Sequence, residues 1–128
     1  MAVNMKGRNA PRLQEAEKRI RNFDEVSLGF DDQTMIEEAN RCLNCKNAPC
    51  MGGCPVGIHI PEFISCLKEG DKEGASRVIA RSTKLPAICG RVCPQEKQCE
   101  KYCVRNRAGG AVAIGQLERC VGDYNLGK

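Results

Sequence analysis

The sequence predicts an all-α domain, and three observations predict it. Apolar residues recur at helical spacing in the patterned segments, and no segment shows convincing strand alternation. Gly- and Pro-rich stretches separate those segments. Most of the ten cysteines gather in two of the separators. The 41% hydrophobic fraction counts those cysteines, and the chain has no Trp, two Tyr and three Phe. Large aromatics dominate core burial, so hydrocarbon alone is a thin supply for a core. The cysteines are the candidates for what else holds the chain together.

Residues 1–10 read as a flexible tail, and residues 11–128 as a single helical domain. Pro11 suits a first helical turn, with Leu13, Ala16 and Ile20 on one face. FDEVSLGF, from Phe23 to Phe30, is a connector, and Asp31 or Asp32 is an N-cap for the next helix. There Met35, Ile36, Ala39, Cys42 and Leu43 follow the spacing of a buried face, which delivers Cys42 inward at the helix end. NCKNAPCMGGCPVGIHI is loop chemistry. Pro61 opens a helix that stops at Gly70, with Phe63, Ile64 and Leu67 inward. Asp71 caps another, bearing Ala75, Val78 and Ile79. LPAICGRVCP again reads as a loop, followed by a helical stretch from Gln95 to about Arg105 with Cys99 and Cys103 on one face. Gly109 and Gly110 break it, and a last helix from about Val112 to Tyr124 buries Ile114, Leu117 and Val121.

Composition excludes several classes. No uncharged apolar run approaches the roughly 18 residues of a membrane span, and the N-terminal stretch lacks the apolar core of a secretory signal. A cytoplasmic protein is therefore expected, in a compartment where structural disulfides are rare, so the cysteines read as metal ligands. The net charge of +4 is mild, and ten Lys/Arg against five Asp/Glu between residues 68 and 107 are mixed along helices. Without a dense basic stripe or exposed aromatics, neither a nucleic-acid nor a membrane partner is expected.

The first cysteine segment reads C-x2-C-x4-C-x3-C-P, at Cys42, Cys45, Cys50 and Cys54. The second reads C-x3-C-P-x4-C-x3-C, at Cys89, Cys93, Cys99 and Cys103. Iron–sulfur clusters need thiolates converging from tight loops, with small residues that let backbone amides approach the sulfurs. In the bacterial C-x2-C-x2-C-x3-C-P run the last cysteine serves the other cluster of a pair, so by analogy Cys54 crosses over. The rival is zinc, held by paired knuckles or with His. This chain has one C-x2-C, and its single His59 lies outside both quartets, so His59 reads as a loop residue. Cys66 and Cys120 read as buried thiols on helical stripes.

The stretches RCLNCKNAPCMGGCPVGIHIPEFI, ICGRVCPQEKQCEKYC and AVAIGQLER, in that order, resemble the N-terminal iron–sulfur domain of the NAD(P)H-dependent glutamate synthase small (beta) subunit family. The same domain opens dihydropyrimidine dehydrogenase and the large subunit of electron-bifurcating NADH-dependent ferredoxin:NADP oxidoreductases. RIRNFDEVSLGF and the helix before Cys42 fit as well, so the resemblance covers nearly the whole chain. It implies an alpha-helical ferredoxin-like fold, with two cysteine-rich loops wrapped around two [4Fe–4S] clusters. Carried over by position, Cys42, Cys45, Cys50 and Cys103 hold one cluster, and Cys54, Cys93 and Cys99 hold the other. The resemblance gives that second cluster a Gln or Glu of the last helix, here Glu118, and leaves Cys89 as the alternative fourth ligand.

The function so implied is an electron-transfer module passing single electrons between a flavin/NAD(P)H-binding domain and a redox partner, such as the glutamate synthase large subunit. FAD and NAD(P)H are expected on a downstream domain, because AGGAVAIG lacks the spacing and preceding strand of a dinucleotide fingerprint. The chain is accordingly expected to be an excised domain or a short independent version of it, not an enzyme by itself. Two further readings stand beside this one: a zinc-stabilised interaction module, and a scaffold whose clusters only hold the fold.

Overall fold

Helical periodicity in the sequence becomes helices in the chain, and the departures from it are instructive. The computed structural model describes residues 7–107 and 109–127. Its elements are β1 (Arg12–Leu13), α1 (Ala16–Arg19), β2 (Ser27–Gly29), α2 (Asp32–Ala39), α3 (Pro49–Gly52), α4 (Ile60–Lys68), α5 (Lys72–Ala80) and α6 (Pro86–Val92). Three 3₁₀ turns follow (Gln95–Lys97, Glu100–Tyr102, Val104–Arg107), and α7 (Ile114–Leu126) closes the described chain. The all-α class holds; among the described residues the one sheet is a short antiparallel ribbon of β1 and β2.

That ribbon replaces the helix expected from Pro11. The Gln14 amide nitrogen donates to the carbonyls of Asp24 and Glu25, and the Gln14 backbone N–H donates to Val26. These bonds zip residues 12–14 onto 24–29, so only Ala16–Arg19 is helical and Leu13 and Ile20 are exposed. Of the tail expected for residues 1–10, residues 1–6 lie outside the described residues. Arg8 and Asn9, by contrast, are held: the Arg8 guanidinium sits 2.7 Å from Glu100, and the Asn9 N–H donates to Glu38 at 2.9 Å.

Capping chemistry sets several helix starts. The Asp31 carboxylate accepts the Thr34 N–H at 2.8 Å, and Asp71 accepts the Gly74 N–H at 2.8 Å, each satisfying one of the open donors of a first turn. Helix α2 ends at Ala39, earlier than expected, and Cys42 lies in the turn beyond it while Leu43 is exposed. Met35 and Ala39 of α2, Phe63, Ile64 and Leu67 of α4, Ala75 and Ile79 of α5, and Leu117 and Val121 of α7 are all buried. They form one apolar core, in which Phe63 is fully buried, so hydrocarbon packing does hold part of this domain.

Within that core lies an ion pair. Glu38 and Arg41 meet at 2.7 Å, both at 0% exposure. The Arg41 guanidinium also donates to the carbonyls of Gly109, Gly110 and Ala111, while Glu38 accepts the Ala113 N–H. The pair therefore pins the segment that enters α7, where Gly109 and Gly110 both take positive φ (80° and 88°). Removing one partner of such a pair strands the other charge, at a cost of about 3–5 kcal/mol.

The second cysteine segment differs most from its sequence reading. LPAICGRVCP, expected as a loop, contains helix α6: Pro86 occupies a first-turn position, and Gly90 is there for contact rather than for a turn. A Cβ on Gly90 would lie 2.7 Å from the Arg119 backbone nitrogen of α7, and one on Gly122 would lie 2.2 Å from that of Ala87 in α6. The two helices thus touch backbone to backbone. The helix expected from Gln95 to Arg105 is three 3₁₀ turns, interrupted at Gln98 (φ −114°, ψ −115°) and by extended backbone at Cys103 (ψ 128°). Cys99 and Cys103 consequently do not share a face.

Gly122→Ala is expected to force α6 away from α7 and to destabilise the domain by about 1–3 kcal/mol, the usual cost of overpacking. Urea denaturation checks it, and an unchanged midpoint would mean that the contact is loose.

Candidate metal centres in two thiol-lined cavities

Local backbone chemistry brings the first three cysteines around one space. Cys42 follows the end of α2, Cys45 follows the left-handed Asn44 (φ 54°), and Cys50 rides on the single turn α3 begun by Pro49. Gly53 then packs against the second segment: a Cβ there would lie 2.6 Å from both the Gln98 carbonyl oxygen and the Tyr102 ring. This contact lets Cys103 join Cys42, Cys45 and Cys50 around a cavity that opens to solvent. Ile60, Ile64, Val112 and Ile114 floor it, and the buried Arg105 lines it. Backbone N–H groups point at two of the sulfurs, from Asn44 to Cys42 at 3.4 Å and from Val112 to Cys103 at 3.5 Å. Burial, and then the neighbouring Cys42, Cys103 and Cys45 thiols, push the Cys50 thiol up to about 12.

A second cavity is lined by Cys54, Cys89, Cys93, Cys99 and Glu118, with Ile58 and Gln95 beside them. The close α6–α7 contact puts Cys89 and the following Cys93 opposite Glu118. Burial drives the Cys99 thiol up to about 12, with Glu100, Cys54 and Glu118 adding to it. Burial drives Cys93 up to about 11, with Cys89, Glu118 and Cys54 adding to it. Glu118 thus lies within charge range of both Cys93 and Cys99.

Glu118 is 7% exposed, and its Oε2 has no hydrogen-bond partner among the described residues. Burial alone lifts its carboxyl to about 7. A buried carboxylate oxygen without a donor is costly unless a cation meets it, so this side chain, with four thiols lining the same cavity, suits a metal-containing group. Among the described residues no three His, Cys, Asp or Glu side chains meet tightly enough for a single ion; each quartet rings a cavity instead.

The other sequence candidates lie elsewhere. Cys66 is a half-buried thiol on α4, raised by burial. Cys120 on α7 is half-buried, pushed by burial to about 11, and lines a separate polar cavity with Arg12 and Arg119. His59 is exposed ahead of α4 and lines neither thiol cavity. Arg105 and the Val112 N–H were missed by the sequence reading, because neither residue type nor spacing marks them. No helix among the described residues is long and apolar enough to cross a membrane.

Comparison with known proteins places these cavities in context. The family described as dihydropyrimidine dehydrogenase domain II, 4Fe-4S cluster matches residues 19–128. The glutamate synthase [NADPH] small chain of Halomonas elongata is 38% identical over 117 residues, covering 91% of this chain and 25% of that protein. The small chain from Azospirillum brasilense is 38% identical over 114 residues, 88% of this chain and 24% of that one. The NAD-dependent dihydropyrimidine dehydrogenase subunit PreT of Escherichia coli is 38% identical over 102 residues, 80% of this chain and 25% of its own. The chain therefore spans about a quarter of the length of these relatives.

Thiols raised this far are protonated at neutral pH, so binding metal must release their protons and must tighten as pH rises. Chelator competition is expected to strip iron more readily at about pH 6.5 than at about pH 8. Equal retention at both would show that proton release is not linked to binding.

Proposed function

Because the chain belongs to the dihydropyrimidine dehydrogenase domain II, 4Fe-4S cluster family, we propose that it carries two [4Fe–4S] clusters and passes single electrons between a flavin/NAD(P)H-binding domain and a partner's redox centre. Cys42, Cys45, Cys50 and Cys103 are the ligands of one cluster. Cys54, Cys93, Cys99 and Glu118 are those of the other, with Cys89 a free thiol beside it. The observation that carries this reading is the sorting of donors from two sequence segments into two cavities, one of which holds a buried carboxylate oxygen without a partner.

Each cluster supplies a reversible one-electron couple; the protein's part is spacing, burial and polarity. Ile60, Ile64, Val112 and Ile114 keep water from the inner wall of the first cavity, and Ile58 does so in the second. The Val112 and Asn44 N–H groups donate toward ligand sulfurs, which favours the more negative, reduced state. An oxygen ligand at Glu118 makes the second site chemically unlike the first. The segments Cys50–Cys54 and Cys99–Cys103 each join one cavity to the other, which keeps the two within one short electron path.

The relatives' names, which include NADPH, NAD and a small chain, support a nicotinamide nucleotide and a larger partner subunit; the proposal adds a flavin on the neighbouring domain and takes a glutamate synthase-type large subunit as the electron acceptor. Quartets that ring cavities favour clusters over zinc, whose four ligands close on one ion at about 2.0–2.3 Å.

Anoxically prepared protein is expected to contain about eight irons with matching acid-labile sulfide. Stoichiometric zinc without sulfide would replace the electron-transfer reading with that of a zinc-stabilised module. Glu118→Ala is expected to alter the electron paramagnetic resonance (EPR) signal of one cluster, while Cys89→Ala leaves both intact. The opposite pattern would hand the fourth position to Cys89.

A further inference from the structure

The two cavities differ in charge. Arg105 is 3% exposed and lines the first, beside Cys42, Cys45, Cys50 and Cys103. Its guanidinium places a positive charge in the wall of the site. Lys68 adds a second on the same side: its ammonium donates to the Cys42 carbonyl at 2.8 Å. The nearby Arg41 adds little, because Glu38 neutralises it at 2.7 Å.

The second cavity has no Lys or Arg among its described lining residues. Its one acidic lining residue is Glu118, which as a ligand carries the same charge as the Cys103 thiolate of the first site. Glu100, next to Cys99 in the chain, is met by Arg8 at 2.7 Å.

We infer that Arg105 raises the reduction potential of the cluster held by Cys42, Cys45, Cys50 and Cys103 above that of its neighbour, so that an electron entering the pair rests on the first site. The inference rests on the two-cluster reading above. One-electron reduction adds negative charge to a thiolate-bound cube that is already anionic. A cation fixed in the wall stabilises that added charge, and the described lining of the second cavity offers none. Salt screens such buried interactions far less than surface ones, so the ordering survives at physiological ionic strength. Nothing in this arrangement requires Arg105 to touch iron. It is a positioning residue for the electron, acting through the field it sets up across the cavity.

Anoxic potentiometric titration followed by EPR tests this on the cluster-loaded chain. The Glu118→Ala signal change identifies which resonance belongs to the second site. Arg105→Gln is expected to make reduction of the first cluster at least tenfold less favourable, about 59 mV for one electron, with the second cluster unmoved. Arg105→Lys, which keeps the charge, is expected to retain most of the original potential and the same order of reduction. Three results would each overturn the inference: an unchanged first potential in fully loaded Arg105→Gln, an equal shift of both clusters, or loss of the first site's iron, which would make the residue structural. Failure of the underlying two-cluster reading is seen separately, as wild-type protein with fewer than two clusters' worth of iron and sulfide.

Discussion

Each cavity draws its donors from both ends of the domain. Cys103 closes the first around Cys42, Cys45 and Cys50, and Cys54 reaches into the second with Cys93, Cys99 and Glu118. Neither space can be enclosed by one cysteine segment alone, so the segments have to interleave. Gly53 is where they do, since any side chain there would run into the Gln98 carbonyl and the Tyr102 ring. A single turn, α3, then separates Cys50 on one side from Cys54 on the other. The rest of the fold can be understood as what keeps this crossing in place.

Two sets of contacts do so from opposite sides. The buried Glu38–Arg41 pair reaches across from α2 to the carbonyls of residues 109–111 and the N–H of Ala113, fixing the chain as it enters α7. That segment carries the Val112 N–H toward the Cys103 sulfur, so an ion pair in the core decides what a site residue can donate to. A well-packed apolar pair of the same volume would serve stability as well or better. It could not bond six backbone and side-chain groups at once, and here geometry is what the pair supplies. From the other side, Gly90 and Gly122 let α6 and α7 meet backbone to backbone, which sets Cys89 and Cys93 across from Glu118.

Much of this was legible in the sequence where local chemistry decides the outcome. Asp31 and Asp71 cap the helices they were expected to cap, and the apolar faces of α4, α5 and α7 are buried as their spacing required. What was misread depends on contacts far along the chain. Gly90 reads as a helix breaker when only its neighbours are considered, yet its missing Cβ makes room for α7. Cys99 and Cys103 have helical spacing, but the backbone turns extended at Cys103. The Gln14 amide pairs with carbonyls ten and eleven residues on, and no periodicity reveals that. Glu38 and Arg41, an acid and a base three apart, resemble an ordinary solvated pair until the carbonyls around Arg41 are seen. Glu118 came from resemblance alone; beside the buried Leu117, its sequence neighbourhood does not set it apart from a surface glutamate.

Helix α7 belongs to both halves of the domain, and this couples them. Leu117 and Val121 are fully buried in the hydrocarbon core, on a helix that packs against α2 and α5, while Glu118, the residue next to Leu117, faces the second cavity. Successive residues on a helix are turned by about 100°, so the orientation of Glu118 is fixed by the packing of Leu117. A change that rolls α7 on its core face must swing the carboxylate relative to Cys93 and Cys99. The small apolar core is therefore not merely an adjunct to the thiols: it aims the carboxylate that lines the second cavity. The thin hydrocarbon supply of this chain is spent where it sets that angle.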